Sequence, residues 1–342
     1  MDRWHSGLTL FFSLLVEAFP FLLLGVIFSS VLLFFVDERQ LIRAIPRNPI
    51  LGAFAGSLIG FIFPVCECGN VPVARRLLVQ GAPTSTAIGF LLAAPTVNPI
   101  VFWATWTAFR DQPEMVFLRV GFSLAIATII GWVFSRQKDM RPLLNASVAR
   151  AMPLPADTTS AGSTETPSLL QSGTFMLGQP GQPQRLDSSL WQAAGVGATP
   201  TVLSKGVSER FRLLVENVIL ELRELGGVLV IGTAIAALVQ VAIPRDVVLG
   251  LGQSPVTSIL VMMALAWIVS ICSTVDSFFA LSFASTFTTG SLLAFLVFGP
   301  MIDLKNIALL TSVFRTRAII YLFFLAGQLT FVGAFLVNLY LG

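Results

Sequence analysis

Long apolar segments, separated by short polar stretches, run along most of the chain. A helix needs about 20 mainly apolar residues to cross roughly 30 Å of hydrocarbon. Segments of this kind lie at residues 8–36, 49–65, 83–108, 115–135, 211–242, 255–271, 288–312 and 317–341, and shorter apolar pieces lie at 70–81 and 275–287. The pattern therefore predicts an all-α, polytopic membrane protein with about 8 to 10 membrane segments.

The two groups of apolar segments are separated by a polar stretch at residues 137–207. It is rich in Ser, Thr, Pro, Gly and Gln, and such a composition buries too little apolar surface to offset the entropy lost on ordering. We expect a largely disordered linker there, and a modest excess of arginines on its side of the membrane favours the cytoplasm. The predicted domains are a first membrane half at 1–136, the linker, and a second membrane half at 208–342.

Polar and helix-breaking residues recur in the two membrane halves in the same order. "EAFPFLLLG" corresponds to "ELGGVLVIG", "CECGN" to "CSTVD", and "STAIGFLLAAPTVNP" to "GSLLAFLVFGPMIDL". This alignment pairs Cys66 with Cys272 and Asn98 with Asp303. Duplicated halves with interrupted helices are typical of secondary transporters, whose binding site lies near the bilayer midplane where the repeats meet. We therefore predict two pseudo-repeated halves with broken helices and a central site.

The composition agrees with a membrane location and restricts the function. Hydrophobic residues make up 55% of the 342 residues and charged residues 11%, against roughly 25% charged in soluble domains. A net charge of +3 gives no reason to expect a nucleic-acid partner, so the predicted partners are the lipid bilayer and a small substrate. Phosphate-binding loops and hydrolase motifs are absent from the sequence, so we expect neither an enzyme nor a bound cofactor.

The segment "FPVCECGNVP" contains three residues that interrupt a helix. Pro64 and Pro72 lack the backbone N–H that a helix needs, and Gly69 lowers the cost of leaving helical geometry. Backbone groups freed in a membrane segment cost several kcal/mol each if they face lipid. We therefore expect breaks at both prolines, lining a cavity or buried against another helix.

Candidate ligands are concentrated in this segment. Cys66 and Cys68 can converge on one soft ligand in an unwound turn, and Cys272 is the corresponding thiol of the second half. Thiolates suit Zn(II), Cu(I) or trivalent arsenic, and Glu67 or Asn70 can add a hard oxygen. The alternative is that the cysteines are small packing residues beside a kink, because free cysteine is among the most buried residue types.

The corresponding segment of the second half, "CSTVDSFF", supplies Cys272, Thr274 and Asp276 as candidate substrate ligands. Asp276 lies in a stretch that is otherwise neutral, and an ionisable group within a span usually marks a substrate or ion path. We predict a role for it in ion coupling as well. The alternative is that Asp276 caps the short helix that follows.

Two further breaks are predicted around prolines in the later apolar segments. Thr96 and Asn98 lie in the first of these breaks and Asp303 in the second, and all three are candidate substrate ligands. Lys305 is close enough in sequence to pair with Asp303, which would make that pair structural. Glu17, inside the first span, is a candidate protonatable coupling residue.

The stretch "FPVCECGNVPVARRLLVQGAPTSTAIGFLLAAPTVNPIVFWATW" resembles the first-half signature of predicted permeases of the YraQ and ArsP type, and "CSTVDSFFALSFASTFTTGSLLAFLVFGPMIDLKN" resembles their second-half signature. The resemblance implies a multi-pass permease of the cell inner membrane; one branch of the family exports trivalent organoarsenicals. By position, Cys66 and Cys68 match the family's paired thiols, and Cys272 and Asp276 match its second-half motif. Glu67, between the thiols, is better suited to a metal cation than to an arsenical.

These observations predict a secondary permease that moves a soft, thiophilic substrate, either a metal ion or a trivalent arsenical, through a site between the two halves. Two alternatives remain open. One is a membrane thiol-disulfide oxidoreductase that cycles Cys66 and Cys68, although a one-residue spacer suits that chemistry less well than the two-residue spacer of thioredoxin-like motifs. The other is a structural subunit of a membrane complex. The sequence leaves the oligomeric state open.

Overall fold

A computed structural model describes residues 2–35, 45–46, 48–62, 66–137, 140–152, 207–242, 254–284 and 286–341. Within these ranges the regular elements are helices, apart from an isolated β-bridge between Leu144 and Phe314. The α-helices are α1 (Asp2–Phe35), α2 (Pro49–Ile62), α3 (Glu67–Val79), α4 (Thr84–Ala93), α5 (Pro99–Ala108), α6 (Glu114–Ser135), α7 (Ala146–Ala151), α8 (Val207–Ala242), α9 (Pro255–Val269), α10 (Asp276–Leu281), α11 (Thr289–Met301), α12 (Leu304–Leu310) and α13 (Thr316–Leu341).

Among the described residues, five stretches are long and apolar enough to cross a membrane. They are Gly7–Val31 in α1, Glu114–Ser135 in α6, Phe211–Val241 in α8, Thr289–Leu310 across α11 and α12, and Thr316–Tyr340 in α13. Helices α2, α4 and α9 are apolar but shorter. The prediction of an all-α polytopic membrane protein with broken helices is therefore confirmed.

The helices follow the same order in the two membrane halves. Each half has a long helix, a shorter apolar helix, a helix that follows a cysteine, two helices separated by a break, and a final long helix. Helices α2, α4 and α6 pack on one another, and α9, α11 and α13 do the same. Between the halves, α1 packs against α8, α3 against α12, and α5 against α10. The repeat relates α3 to α10 and α12 to α5, so the last two contacts are equivalent to each other.

The breaks around the later prolines are present. The apolar run predicted at 83–108 is two helices, because α4 ends at Ala93 and α5 begins at Pro99. In the second half α11 ends at Met301 and α12 begins at Leu304. Each interruption leaves a polar residue at the start of the second helix, where its side chain can bind a free backbone N–H.

The predicted break at Pro72 is wrong. Helix α3 continues through this residue from Glu67 to Val79. A proline φ is compatible with a helix, and the missing N–H leaves only the Cys68 carbonyl without its usual donor. Almost every residue of α3 is buried against neighbouring helices, which hold the segment helical despite that loss. Pro64 lies outside the described residues.

A pair of glycines brings α1 onto α3 close to the cysteines. A Cβ atom added to Gly25 would lie only 2.2 Å from the carbonyl oxygen of Gly69. In the second half, a Cβ on Gly232 of α8 would lie 2.7 Å from the Cβ of Ala308 on α12. The two long helices therefore approach α3 and α12 at positions that only glycine allows, as in other tightly packed membrane helices.

Most of the predicted linker, residues 153–206, lies outside the described residues. The part at residues 140–152 is described and is folded onto the membrane halves, where Leu144 and Val148 are buried. The Asn145 N–H donates to the Val313 carbonyl at 2.8 Å, and α7 contacts α3. Residues 140–152 therefore belong structurally with the helices.

Candidate substrate site

Three buried side chains from the two halves form a cluster of ligand atoms. The sulfur of Cys66, a carboxylate oxygen of Glu67 and the sulfur of Cys272 all lie within 4.8 Å of one another. The Thr274 hydroxyl lies 3.7 Å from the Cys272 sulfur. The structure therefore brings together four of the residues that the sequence predicted, from segments more than two hundred positions apart.

The two thiols occupy equivalent places in the backbone. Cys66 is the extended N-cap of α3, and its carbonyl accepts from the N–H groups of Gly69 and Asn70 at 3.1 and 3.2 Å. The Cys272 carbonyl accepts in the same way from Val275 and Asp276 at 2.9 and 3.0 Å. Each cysteine carbonyl therefore accepts from the N–H groups three and four residues later, although α3 begins directly after Cys66 and α10 begins only at Asp276.

The break before Cys272 depends on an unusual backbone conformation. Helix α9 ends at Val269, and Ser270 adopts φ 48°, in the left-handed region. The Ser270 hydroxyl accepts a hydrogen bond from the Leu304 N–H at 3.1 Å, which ties this turn to the start of α12. This hydrogen bond therefore holds the turn at Ser270 next to the break between α11 and α12.

Two other predicted ligands, Cys68 and Asn70, are fully buried on α3. The Asn70 amide donates to the Leu91 carbonyl on α4 at 2.6 Å, while no hydrogen-bond partner is present in the described structure for its own carbonyl oxygen. Asn70 thus fixes α3 against α4 and keeps one acceptor free.

Lys305 is the site residue that sequence reasoning missed. Its ammonium lies 3.6 Å from Glu67 and 4.0 Å from Asp303, and all three side chains are 1% exposed. Glu17 on α1 also interacts electrostatically with Lys305 and Glu67. The sequence feature that could have identified it is a single lysine in an apolar span. Sequence analysis paired this lysine with Asp303 and did not predict its contact with Glu67 of the first half.

The residues of the two later breaks act mainly as helix caps. The Asn98 side chain accepts from the Ile100 N–H at 2.9 Å, and Asp303 accepts from the Asn306 N–H at 2.5 Å. Thr96 donates to the Ala93 carbonyl at 3.0 Å. The recorded hydrogen bonds of Thr96 and Asn98 stay within their own break, whereas Asp303 also faces Lys305.

Asp276 lies in a separate buried cluster. Its carboxylate accepts from Arg119 on α6 at 2.6 Å, and both side chains are at most 3% exposed. The same guanidinium donates to the hydroxyls of Thr105 and Ser277 at 2.8 Å each and to the Ser273 carbonyl at 3.3 Å. The N-cap of α10 is Val275, so Asp276 is not the cap that the alternative interpretation required. Arg119, an isolated arginine within a span, was not predicted.

Comparison with known proteins identifies the family. A family model described as "Predicted permease" (ArsP_1) matches residues 3–339. The chain belongs to this family of predicted permeases. It is 36% identical over 330 residues to the UPF0718 protein YcgR of Bacillus subtilis, with 96% of each chain covered. It is 30% identical over 313 residues to a protein of Streptococcus mutans named "Putative two-component membrane permease complex subunit", with 92% of this chain and 88% of that protein covered. No solved structure matches.

In the permease, a buried ion pair lies at or beside each of the two equivalent contacts between the halves. At the contact of α3 with α12 the pair is Glu67 with Lys305. Beside the contact of α5 with α10 the pair is Asp276 with Arg119. The thiols lie at the first contact only. Cys66, Glu67 and Cys272 therefore lie in one cluster, whereas Asp276 lies in a second cluster that lacks thiols.

Proposed function

We propose that this membrane permease is a secondary transporter of a soft, thiophilic substrate, either a metal ion or a trivalent arsenical, and that Cys66, Glu67 and Cys272 bind it. The observation that supports this most directly is the mutual proximity of the three ligand atoms within 4.8 Å. Two thiolates and a carboxylate form a ligand set for borderline and soft ions.

The position of the cluster suits transport better than permanent storage. The ligands come from both halves and from the ends of broken helices, which is where substrate sites of repeat transporters lie. A relative movement of the halves would separate Cys272 from Cys66 and so release the ion. Binding to thiols releases their protons, and Glu17 and Asp276 remain candidate coupling residues.

Transport into proteoliposomes tests the proposal. We expect purified wild-type protein to move Cd²⁺, Zn²⁺ or a trivalent arsenical, and Cys66→Ser and Cys272→Ser each to lower the rate by about tenfold or more, since each removes a soft ligand. His5→Gln is the matched control, because it removes the only histidine, which is exposed on α1. Unchanged rates in both cysteine variants, at equal incorporation, would contradict thiol binding.

A second candidate function follows from the name of the Streptococcus mutans relative. If the chain is likewise a subunit of a two-component permease complex, it should purify from its native membrane with a stable partner and transport nothing without it. Activity of the isolated chain in proteoliposomes would exclude that dependence. Formation of a disulfide during each turnover would instead support the thiol oxidoreductase.

A further inference from the structure

The ammonium of Lys305 lies between two buried carboxylates but close to neither. The distances of 3.6 Å to Glu67 and 4.0 Å to Asp303 exceed the 2.7–2.9 Å that is typical of a charge-assisted hydrogen bond. Arg119, by contrast, lies 2.6 Å from Asp276. Lys305 is therefore held by the surrounding negative charge, without a tight bond to one partner.

Carboxyl groups outnumber basic groups around Lys305. Glu17, Glu67 and Asp303 all interact with its one ammonium. Each of these carboxylates has a buried oxygen with no hydrogen-bond partner among the described residues. Buried charge that is not compensated is costly, so the oxygens of Glu17 and Glu67 favour the binding of additional positive charge, whereas the Asp303 oxygen already faces Lys305 at 4.0 Å.

Glu67 belongs to both neighbouring groups. One of its oxygens faces Lys305 at 3.6 Å, and its carboxylate is also a member of the ligand cluster with Cys66 and Cys272. A cation bound between the two sulfurs would therefore share a carboxylate with the ammonium. Two cations at one carboxylate repel each other, and in a buried site this repulsion is only weakly screened.

We propose that Lys305 is a tethered cation that competes with the substrate for Glu67, and that the substrate is therefore a metal cation and not a neutral arsenical. This inference rests on the proposed function. When the metal binds, Glu67 becomes its ligand and the ammonium keeps Asp303. When the metal leaves, Lys305 returns to Glu67, so the carboxylate is never left unpaired. The lysine thus weakens binding enough to permit release.

Cd²⁺ binding to the purified full-length chain in detergent, measured by titration calorimetry, tests the proposal with two variants of opposite effect. Lys305→Met removes the competitor and should tighten Cd²⁺ binding by about tenfold or more. Asp303→Asn keeps an oxygen to cap α12 but removes the alternative partner of the ammonium. It should weaken Cd²⁺ binding by about tenfold, because Lys305 then stays with Glu67.

A trivalent arsenical provides the control for charge. Phenylarsine oxide is neutral once two thiolates hold it, so Lys305→Met should change its affinity much less than that for Cd²⁺. Tighter Cd²⁺ binding by Lys305→Met together with weaker binding by Asp303→Asn supports the proposal. Damage to the fold would instead weaken binding in both variants.

The outcomes separate this inference from the function on which it rests. If the wild type binds neither Cd²⁺ nor phenylarsine oxide, the proposed function fails. If the wild type binds Cd²⁺ but folded Lys305→Met binds it equally or more weakly, the tethered-cation proposal is wrong. Should Lys305→Met not fold, Asp303→Asn decides alone, and unchanged or tighter Cd²⁺ binding by that variant overturns the proposal.

Discussion

At the residue scale, Arg119 and Lys305, the two most deeply buried basic side chains among the described residues, are used differently. Arg119 makes hydrogen bonds of 2.6 to 2.8 Å to Asp276, Thr105 and Ser277. Lys305 shares carboxylates at longer distances. A planar guanidinium with several fixed donors suits a permanent ion pair, whereas a flexible ammonium suits a contact that exchanges partners. We therefore expect the first pair to stabilise the fold and the second to respond to substrate.

Loss of Arg119 should destabilise the protein strongly. Arg119→Met leaves Asp276 buried without its partner, which costs about 3–5 kcal/mol in comparable buried pairs. Denaturant unfolding in detergent measures the change. Arg212→Met is the control, because that side chain is exposed and its pair with Glu216 joins two positions on one helix surface. Equal stability of the two variants would contradict a structural role for Arg119.

A double variant tests whether Asp276 has a further role in coupling. Arg119→Met combined with Asp276→Leu removes both charges, so it should recover much of the stability lost by Arg119→Met alone. If Asp276 acts only in the ion pair with Arg119, the double variant should recover transport together with stability. Recovery of stability without recovery of transport would show that the carboxylate acts in the transport cycle.

At the element scale, the position of α3 determines the geometry of the site. This helix begins at Glu67, directly after Cys66, and its first turn packs on α1 where Gly25 meets Gly69. On the other side, Arg76 pairs with Glu221 of α8 at 2.7 Å, and Arg75 pairs with Glu224 at 3.1 Å. Helices α1 and α8 therefore hold both ends of α3.

The contact at Gly25 should not tolerate a side chain. In Gly25→Ala the new Cβ would lie 2.2 Å from a backbone oxygen, so one of the two helices must move. We expect a loss of about 1–3 kcal/mol in stability and weaker Cd²⁺ binding, because Glu67 moves with α3. Gly227→Ala is the matched control, since a Cβ there meets no atom within 4 Å. Thermal unfolding and calorimetry measure both effects; equal values for the two variants would disprove this helix contact.

At the scale of the whole molecule, the two halves meet at the thiol cluster. The sulfur atoms of Cys66 and Cys272 belong to different halves and lie within 4.8 Å of each other. The described cysteines are all free, so this proximity involves no covalent bond between the halves. The relative placement of the halves can therefore be tested chemically.

Oxidative cross-linking tests the meeting of the halves. In a Cys68→Ser variant with a protease site inserted between residues 160 and 200, mild oxidation should join Cys66 to Cys272, since small movements bring the sulfurs into bonding distance. After cleavage, the halves should migrate together on a non-reducing gel and separately on a reducing gel. Cys272→Ser, which keeps Cys66 and Cys68 in one half, should give separate halves throughout. Separate halves in both variants would contradict the cluster.

Much of the architecture was determined by the sequence itself. Apolar segments long enough to span a bilayer have few alternatives to a helix, because unpaired backbone groups cannot face lipid. Prolines and polar residues also marked the breaks at 94–98 and 302–303 correctly. The prediction failed at Pro72, where packing of α3 against its neighbours outweighs the loss of one hydrogen bond.

The partners that buried charged residues find in the other half were decided by the tertiary structure. Sequence proximity paired Lys305 with Asp303, and the fold adds Glu67 from the other half. Sequence isolation marked Asp276 as a candidate for transport, and the fold places Arg119 beside it. The local sequence indicates which charged groups are costly to bury. The ion-pair and hydrogen-bond partners of these groups depend on distance in space. Only the packing of one half on the other supplies those distances.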